Sequence, residues 1–183
     1  PKLPPVRLTT WVFIPPGNLR PISIVNAYSR LLANCLPDTL EAAVHARLLE
    51  WQRGFLPGRQ LLEIVTDVER YAHRHASLGH PNAAIVLFDF EAAFRSLSRD
   101  YMWHTLEYLG FPSAVIEVLN RFYDANRMAG DSYPSVHAQS GVRQGCPLSP
   151  LLFAVCLDPL LRRLARTLQA RSGDVLRACA DDI

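Results

Sequence analysis

The chain has 183 residues, of which 49% are hydrophobic and 20% are charged, and its formal net charge is +2. This composition is typical of one globular domain, or part of one, and argues against a disordered chain. A charge this close to neutral neither indicates nor excludes a nucleic-acid partner. Because no run of about 18 apolar residues occurs, we expect no membrane segment.

The four cysteines indicate a reducing compartment. Cys35, Cys146, Cys156 and Cys179 include no CxxC pair, and the six histidines do not complete a zinc site. We therefore expect reduced thiols and an intracellular protein, nuclear and/or cytoplasmic.

The first part of the chain predicts one strand and two helices. The apolar residues 11–14, followed by Pro-Pro-Gly, predict a short strand and a turn. Asp38, with Glu41 three residues later, matches a capping box and predicts a helix that ends near Gly54. Apolar periodicity predicts a second helix from Gln60 to Ser77.

The second part mixes strands and helices. A continuous apolar run at 83–90 predicts a buried strand that carries Asp89 near its end. Without strict alternation of strand and helix, the pattern predicts an α+β fold. The remaining helices are predicted at 99–109, 112–126 and 149–170, and the remaining strands at 133–139 and 175–180.

Three aspartates are the first candidates for chemistry. A buried Asp89 would be costly unless it were paired or bound to metal, and the adjacent Asp181 and Asp182 repel each other unless a cation lies between them. If their strands are neighbours, the three carboxylates suit Mg²⁺, and two such ions can stabilise the attacking and leaving oxygens of phosphoryl transfer. An ordinary surface turn is the alternative explanation for the Asp-Asp pair.

The segment 141–150 is the second candidate. Its two glycines permit close backbone approach, Arg143 and Gln144 supply hydrogen-bond donors, and the segment leads into a helix N-terminus that favours anions. An ordinary strand-to-helix connection explains the same residues equally well.

Six blocks, taken in order, resemble the reverse transcriptase domain of non-LTR (LINE-type) retrotransposons, which is related to group II intron reverse transcriptases. The resemblance extends from about Trp11 to Ile183. The blocks are RPISIVN at 20–26, QRGFLPGR at 52–59, FDFEAAF at 88–94, GFP at 110–112, the segment 141–153, and ADD at 180–182.

The resemblance implies a polymerase site built on carboxylates. Asp89 and Asp181 would hold two Mg²⁺ ions, with Mn²⁺ as a possible substitute, and Asp182 would be a weaker ligand. Their reaction would join deoxynucleotides to the 3′-hydroxyl of a primer. The implied partners are an RNA template, a DNA primer and deoxynucleoside triphosphates (dNTPs).

The resemblance also implies a nucleotide site. Arg20 would grip the triphosphate, and the Phe94 ring would lie under the sugar and exclude a 2′-hydroxyl. Phe90, Gln144 and Gly145 would complete the pocket around the new base pair. For Phe94 and Arg20, a core aromatic and a surface arginine are the respective alternatives.

The implied fold is part of a right-hand polymerase. Residues from 1 to about 80 would form the fingers, and those from about 81 to 183 a palm truncated just after the Asp-Asp pair. The palm would be an antiparallel sheet backed by the helices near Tyr101 and Leu160. The thumb would be absent, as would the C-terminal palm of the parent protein, so we expect the isolated fragment to be inactive.

Three departures from the family pattern support a second hypothesis. Arg95 replaces an aspartate, Cys179 replaces an aromatic residue, and the segment 15–18 lacks a lysine. These changes are compatible with a decayed or domesticated relic that binds RNA without catalysis. A two-metal nuclease is a third hypothesis, which leaves the segment 141–150 unexplained.

Overall fold

The structure is a computed structural model that describes residues 25–56, 58–79, 83–124, 127–130, 133–137, 139–169, 175–180 and 182–183. The predicted strand at 11–14 lies outside these ranges. Within them, no helix has the length and apolarity needed to cross a bilayer. The helices are α1 (Ala27–Arg47), α2 (Leu61–Ser77), α3 (Ala93–Ser96), α4 (Arg99–Tyr108), α5 (Ser113–Asp124) and α6 (Ser149–Gln169).

The predicted boundaries of α1 are wrong at both ends. The helix begins after Asn26, whose side chain accepts a hydrogen bond from the Ser29 N–H at 2.8 Å, and Pro37 lies inside it. The capping-box match of Asp38 and Glu41 suggested a helix start there, but Asn26 supplies an earlier cap. The helix ends at Arg47 rather than near Gly54, since the residues that follow pair with a distant part of the chain.

Helices α2, α4, α5 and α6 match their predictions closely, whereas the short helix α3 was not predicted. The predicted cap of α4 is confirmed, because the Ser98 hydroxyl accepts from the Tyr101 N–H at 3.3 Å. Helix α4 packs against both α5 and α6. Two neighbouring hydrophobic cores form around these helices; Leu119 and Leu152 are buried in one, and Leu161 in the other. Residues 151–158 of α6 are all buried.

One two-stranded antiparallel sheet is present in the described ranges. It joins β1 (Arg127–Gly130) to β2 (Tyr133–His137), with Met128 opposite Val136 and an irregularity before Gly130. Strand β2 agrees with the strand predicted at 133–139, whereas β1 lies between that strand and the helix predicted at 112–126, where no element was predicted.

The predicted α+β fold with an antiparallel palm sheet is wrong for the described residues, which are mainly helical. Residues 83–88 form no strand and are exposed, with Leu87 84% accessible. The predicted strand at 175–180 makes only isolated bridges. The division into fingers and palm stays a prediction.

The predicted palm sheet does not form among the described residues because the backbone pairing between their segments is too short. The bridges join Asp89 to Asp182, Cys179 to Asp182, and Gln52 to Ala178. A ladder needs consecutive pairs along both strands, and a predicted buried strand needs neighbours that cover its faces. The apolar run at 83–90 has the composition of a buried strand, but within the described residues its pairing is limited to the bridge at Asp89.

Candidate active site

Asp89 and Asp182 lie opposite each other. Phe88 and Ile183 exchange two backbone hydrogen bonds of 2.7 and 2.9 Å, which makes Asp89 and Asp182 the adjacent antiparallel pair. In such a pair, which has no hydrogen bond of its own, the Cα atoms are roughly 4.5 Å apart and the side chains share one face. Both residues are exposed, so the two carboxylates face solvent on the same side.

A tight turn precedes Asp182. The Cys179 N–H donates to the Asp182 carbonyl at 2.8 Å, and the Asp182 N–H donates to the Cys179 carbonyl at 3.1 Å. Ala180, in this turn, has a φ of 57°, in the left-handed region that residues with a side chain rarely adopt. Asp181 lies outside the described residues.

The charges of this pair favour a bound cation. Like charges directly opposed across two strands destabilise each other, and a divalent cation between them would reverse that effect. Carboxylate oxygens are the donors that Mg²⁺ prefers. The described residues contain no cluster of three or more metal-ligating side chains. They supply two of the three predicted carboxylates and fit part of a magnesium site.

The segment 141–150 docks onto the short helix that follows Asp89. The Gly141 N–H donates to the Leu97 carbonyl and the Val142 N–H donates to the Phe94 carbonyl, each at 2.8 Å. Gly141 has a φ of 77°, and a Cβ there would fall 2.8 Å from the Arg95 carbonyl oxygen. Only glycine fits this contact, so α3 and the loop form one unit beside Asp89.

Phe94 is a half-buried residue of that unit. Its ring stacks on Phe153 with a centroid distance of 4.8 Å and meets Phe55 edge-on at 6.4 Å. These contacts give Phe94 a packing role, which was the alternative explanation for it. Whether the ring also contacts a nucleotide stays a prediction.

Arg143 is held by helix α5. Its guanidinium donates to the Phe122 carbonyl at 2.9 Å and lies over the rings of Phe122 and Tyr123. Burial raises the pKa of Tyr123 to about 12, which keeps the phenol neutral beside this arginine. Two predicted site residues follow Arg143 in the segment 141–150: Gln144 is half-buried, and Gly145 is exposed with a φ of 97°.

The family described as "Reverse transcriptase (RNA-dependent DNA polymerase)" matches residues 8–183, nearly the whole chain. The chain belongs to the reverse transcriptase family. The resemblance drawn from the sequence blocks is therefore confirmed, and by family the chain is an RNA-dependent DNA polymerase domain.

The curated relatives come from mobile elements. The chain is 32% identical to the Retrovirus-related Pol polyprotein from type-2 retrotransposable element R2DM of Drosophila melanogaster, over 97% of this chain and 18% of the relative. It is 30% identical to the Pol polyprotein from type-1 retrotransposable element R2 of Popillia japonica, over 83% and 22%. The Transposon TX1 uncharacterized 149 kDa protein of Xenopus laevis is 27% identical over 91% and 13%. The chain thus spans less than a quarter of each relative.

The structure brings several of the predicted site residues of this reverse transcriptase domain together. Asp89 and Asp182 are opposed. Phe90 follows Asp89 and lines a groove with Ala93 and Phe153, next to the unit formed by α3 and the loop. Arg20 and Asp181 lie outside the described residues, so their roles stay predictions.

The sequence prediction missed Gln52, whose side chain is fully buried beside the turn. Its place in the block QRGFLPGR was the only available signal, and nothing in that block indicates burial.

Proposed function

We propose that the chain is the polymerase domain of a retrotransposon protein that copies an RNA template into DNA. Its reaction would transfer a nucleotide from a dNTP to the 3′-hydroxyl of a DNA primer. The observation that carries this proposal is the opposition of Asp89 and Asp182, because it pairs the carboxylates of two separate family blocks. Family membership then supplies the reaction class.

The metal site would consist of Asp89 and Asp181, with Asp182 as the weaker ligand. When bound, two Mg²⁺ ions, or Mn²⁺ in their place, would activate the primer hydroxyl and neutralise the leaving pyrophosphate. The chain's own contribution is to hold the carboxylates on paired backbone positions. Positioning and charge account for most of the catalysis in phosphoryl transfer.

The nucleotide would bind beside α3. Phe94 would exclude the 2′-hydroxyl, Arg20 would contact the triphosphate, and Phe90, Gln144 and Gly145 would border the new base pair. The docking of the Gly141 loop on the Phe94 carbonyl supports this arrangement, since it fixes the loop relative to Asp89.

The partners follow from the reaction. They are an RNA template, a DNA primer, dNTPs, and the further palm and thumb of the parent polypeptide. With such substrates, the protein would act inside the cell, in the nucleus and/or the cytoplasm.

The test is primer extension on an RNA template, using the full natural polypeptide that contains this chain. We expect Mg²⁺-dependent DNA synthesis that Asp89→Asn and Asp181→Ala each reduce by roughly a hundredfold or more, because each removes a metal ligand. Asp38→Asn is the matched control, since it removes an exposed carboxylate from α1. RNA binding without synthesis in the wild type would replace this proposal with the non-catalytic relic.

A further inference from the structure

The buried side chain of Gln52 is bonded to the turn that precedes Asp182. The Gln52 Nε2 donates to the Ala180 carbonyl at 3.2 Å, and the Gln52 Oε1 accepts from the Ala180 N–H at 2.9 Å. The same oxygen accepts from the Gly54 N–H at 2.8 Å. One side-chain amide therefore binds both backbone polar groups of Ala180.

Gln52 is itself fixed by its backbone. It is bridged in parallel to Ala178, because the Ala178 N–H donates to the Trp51 carbonyl at 2.9 Å and the Arg53 N–H donates to the Ala178 carbonyl at 2.8 Å. The Arg59 guanidinium donates to the Gln52 carbonyl at 2.7 Å. The amide thus projects from an anchored backbone, which lets it act as a rigid support.

The turn needs such a support. Ala180 holds a left-handed φ of 57°, a conformation that costs energy for alanine and persists only where its surroundings impose it. The Ala180 carbonyl belongs to the peptide group that links it to Asp181. Both peptide groups that flank the strained residue are therefore held by Gln52.

We infer that Gln52 is a positioning residue that sets the turn preceding Asp182 against Asp89 and so fixes the metal-binding geometry. This inference rests on the proposed function. Mg²⁺ demands near-ideal placement of its ligands, so a small shift of the turn would weaken metal binding while the fold persists. Gln52 would act through the turn and would contact neither metal nor substrate.

The first test is Gln52→Met in the full natural polypeptide. The apolar side chain has a similar length but leaves the Ala180 and Gly54 groups without their partner. We expect the Mg²⁺ concentration for half-maximal primer extension to rise on the order of tenfold, as expected when buried polar groups lose their hydrogen bonds. An unchanged Mg²⁺ midpoint would overturn the inference.

The matched control is Leu119→Ala, which opens a cavity in the core at helix α5. A purely structural defect lowers the amount of active enzyme without changing its metal requirement. The control should therefore reduce the maximal rate and leave the Mg²⁺ midpoint at the wild-type value. An equal midpoint shift in Leu119→Ala would reduce Gln52 to a stability role and overturn the inference.

The second test is the pH profile of Gln52→Glu. A carboxylate accepts from the two N–H groups but repels the Ala180 carbonyl, whereas a protonated glutamic acid can donate to that carbonyl. Burial raises the pKa of a carboxyl group, which brings the protonated form toward assay conditions. We expect the activity of the variant relative to wild type to rise as the pH falls, and a flat ratio would contradict the inference.

The third test does not depend on catalysis. Hydrogen exchange of the Ala180 amide reports its bond to Gln52 directly, and a Mn²⁺ titration followed by electron paramagnetic resonance reports metal affinity. In Gln52→Met we expect faster exchange at Ala180 and weaker Mn²⁺ binding, with exchange in α4 unchanged. If the wild type bound Mn²⁺ but made no DNA, these shifts would sustain the positioning role while the proposed function failed. Unchanged exchange at Ala180 would overturn the positioning role.

Discussion

Gly54 lies directly against Ala180. A Cβ atom on Gly54 would fall 2.3 Å from the Ala180 nitrogen and 2.9 Å from the Cys179 carbonyl carbon. Both are backbone atoms of the turn before Asp182 and cannot rotate away as a side chain can. The residues after α1 and the turn therefore touch backbone to backbone, beside the hydrogen bonds of Gln52.

Gly54→Ala should push the turn away from its support. We expect the free energy of unfolding to fall by roughly 1–3 kcal/mol, as in other overpacked sites. Primer extension should fall on the order of tenfold or more because the carboxylates move, an effect of the size that supporting groups have at metal sites. Urea denaturation and primer extension across a Mg²⁺ series measure the two effects.

Gly79→Ala is the matched control for that prediction. Unlike Gly54, Gly79 has a positive φ, 66°, and no atom lies within 4 Å of a Cβ built there. The control should lose roughly 1–2 kcal/mol to backbone strain and keep its metal requirement. If Gly54→Ala and Gly79→Ala had the same effects on activity, the contact with the turn would be irrelevant to catalysis.

Phe94→Val should weaken the selection of deoxynucleotides over ribonucleotides. Shortening the ring removes the bulk that would exclude a 2′-hydroxyl, and we expect incorporation of ribonucleotides relative to deoxynucleotides to rise by roughly tenfold or more. Stability should also fall by roughly 1–3 kcal/mol, because Phe94 packs between Phe55 and Phe153. Single-nucleotide extension with matched ribo- and deoxynucleotides gives the ratio.

The control for Phe94 is its stacking partner. Phe153→Leu removes the parallel ring at 4.8 Å and should cause a comparable loss of stability. Sugar selection should stay at the wild-type ratio, since the Phe94 ring remains. An equal shift in selection in Phe153→Leu would mean that the packing of the two rings, and not the bulk of the Phe94 ring itself, governs the choice of sugar.

Asp158 should be essential for folding rather than catalysis. Its side chain is fully buried, pairs with Arg162, and accepts from the Leu49 N–H at 3.1 Å. Asp158→Ala would leave the guanidinium without its counter-charge, and we expect a loss of roughly 3–5 kcal/mol in the free energy of unfolding.

The exposed pair Glu117 and Arg121 supplies the comparison for Asp158. It has the same spacing on a helix surface, so Glu117→Ala should change stability by only about 0.5 kcal/mol. Denaturation of Asp158→Ala and Glu117→Ala under the same conditions compares the two losses of stability. Equal, small effects would show that the buried pair contributes no more than a surface one.

Local signals predicted the helices well. Ser98 placed the start of α4, and apolar periodicity placed α2, because caps and periodic faces are encoded within a few residues. The predicted start of α1 was wrong because two local signals competed. Pro37 and Asp38 resembled the start of a helix, but Asn26 caps the helix earlier in the chain.

Long-range pairing was the part that sequence could not provide. The run at 83–90 has the apolar composition of a buried strand, yet in the described residues its pairing is limited to the bridge at Asp89. The opposition of Asp89 and Asp182 agrees with the hypothesis that their segments are neighbours, which the residues offered only as a condition and the family blocks implied. Gln52 was missed because burial of an amide depends on what folds over it.

The ion pair between Asp67 and Arg177 should make stability depend on pH in the acid range. It joins α2 to the segment before the turn, with the Arg177 Nε donating to Asp67 at 2.7 Å. Hydrogen bonding to Arg177 holds the pKa of Asp67 below its ordinary value of 3.8, and the charges of Arg177 and Arg70 add to this effect. A carboxyl with a depressed folded-state pKa binds protons more readily in the unfolded state. The ion pair therefore contributes its full stabilisation well above pH 3.8. This stabilisation is lost as the pH falls through the folded-state pKa of Asp67.

Asp67→Asn should remove that contribution. We expect wild type to be more stable than the variant near neutral pH and the difference to shrink as the pH falls below 3.8, measured by urea denaturation at each pH. Asp38→Asn, at an exposed position of α1, is the control and should follow the wild-type curve. A difference between wild type and Asp67→Asn that stayed constant into the acid range would show that the pair acts through packing and not through charge.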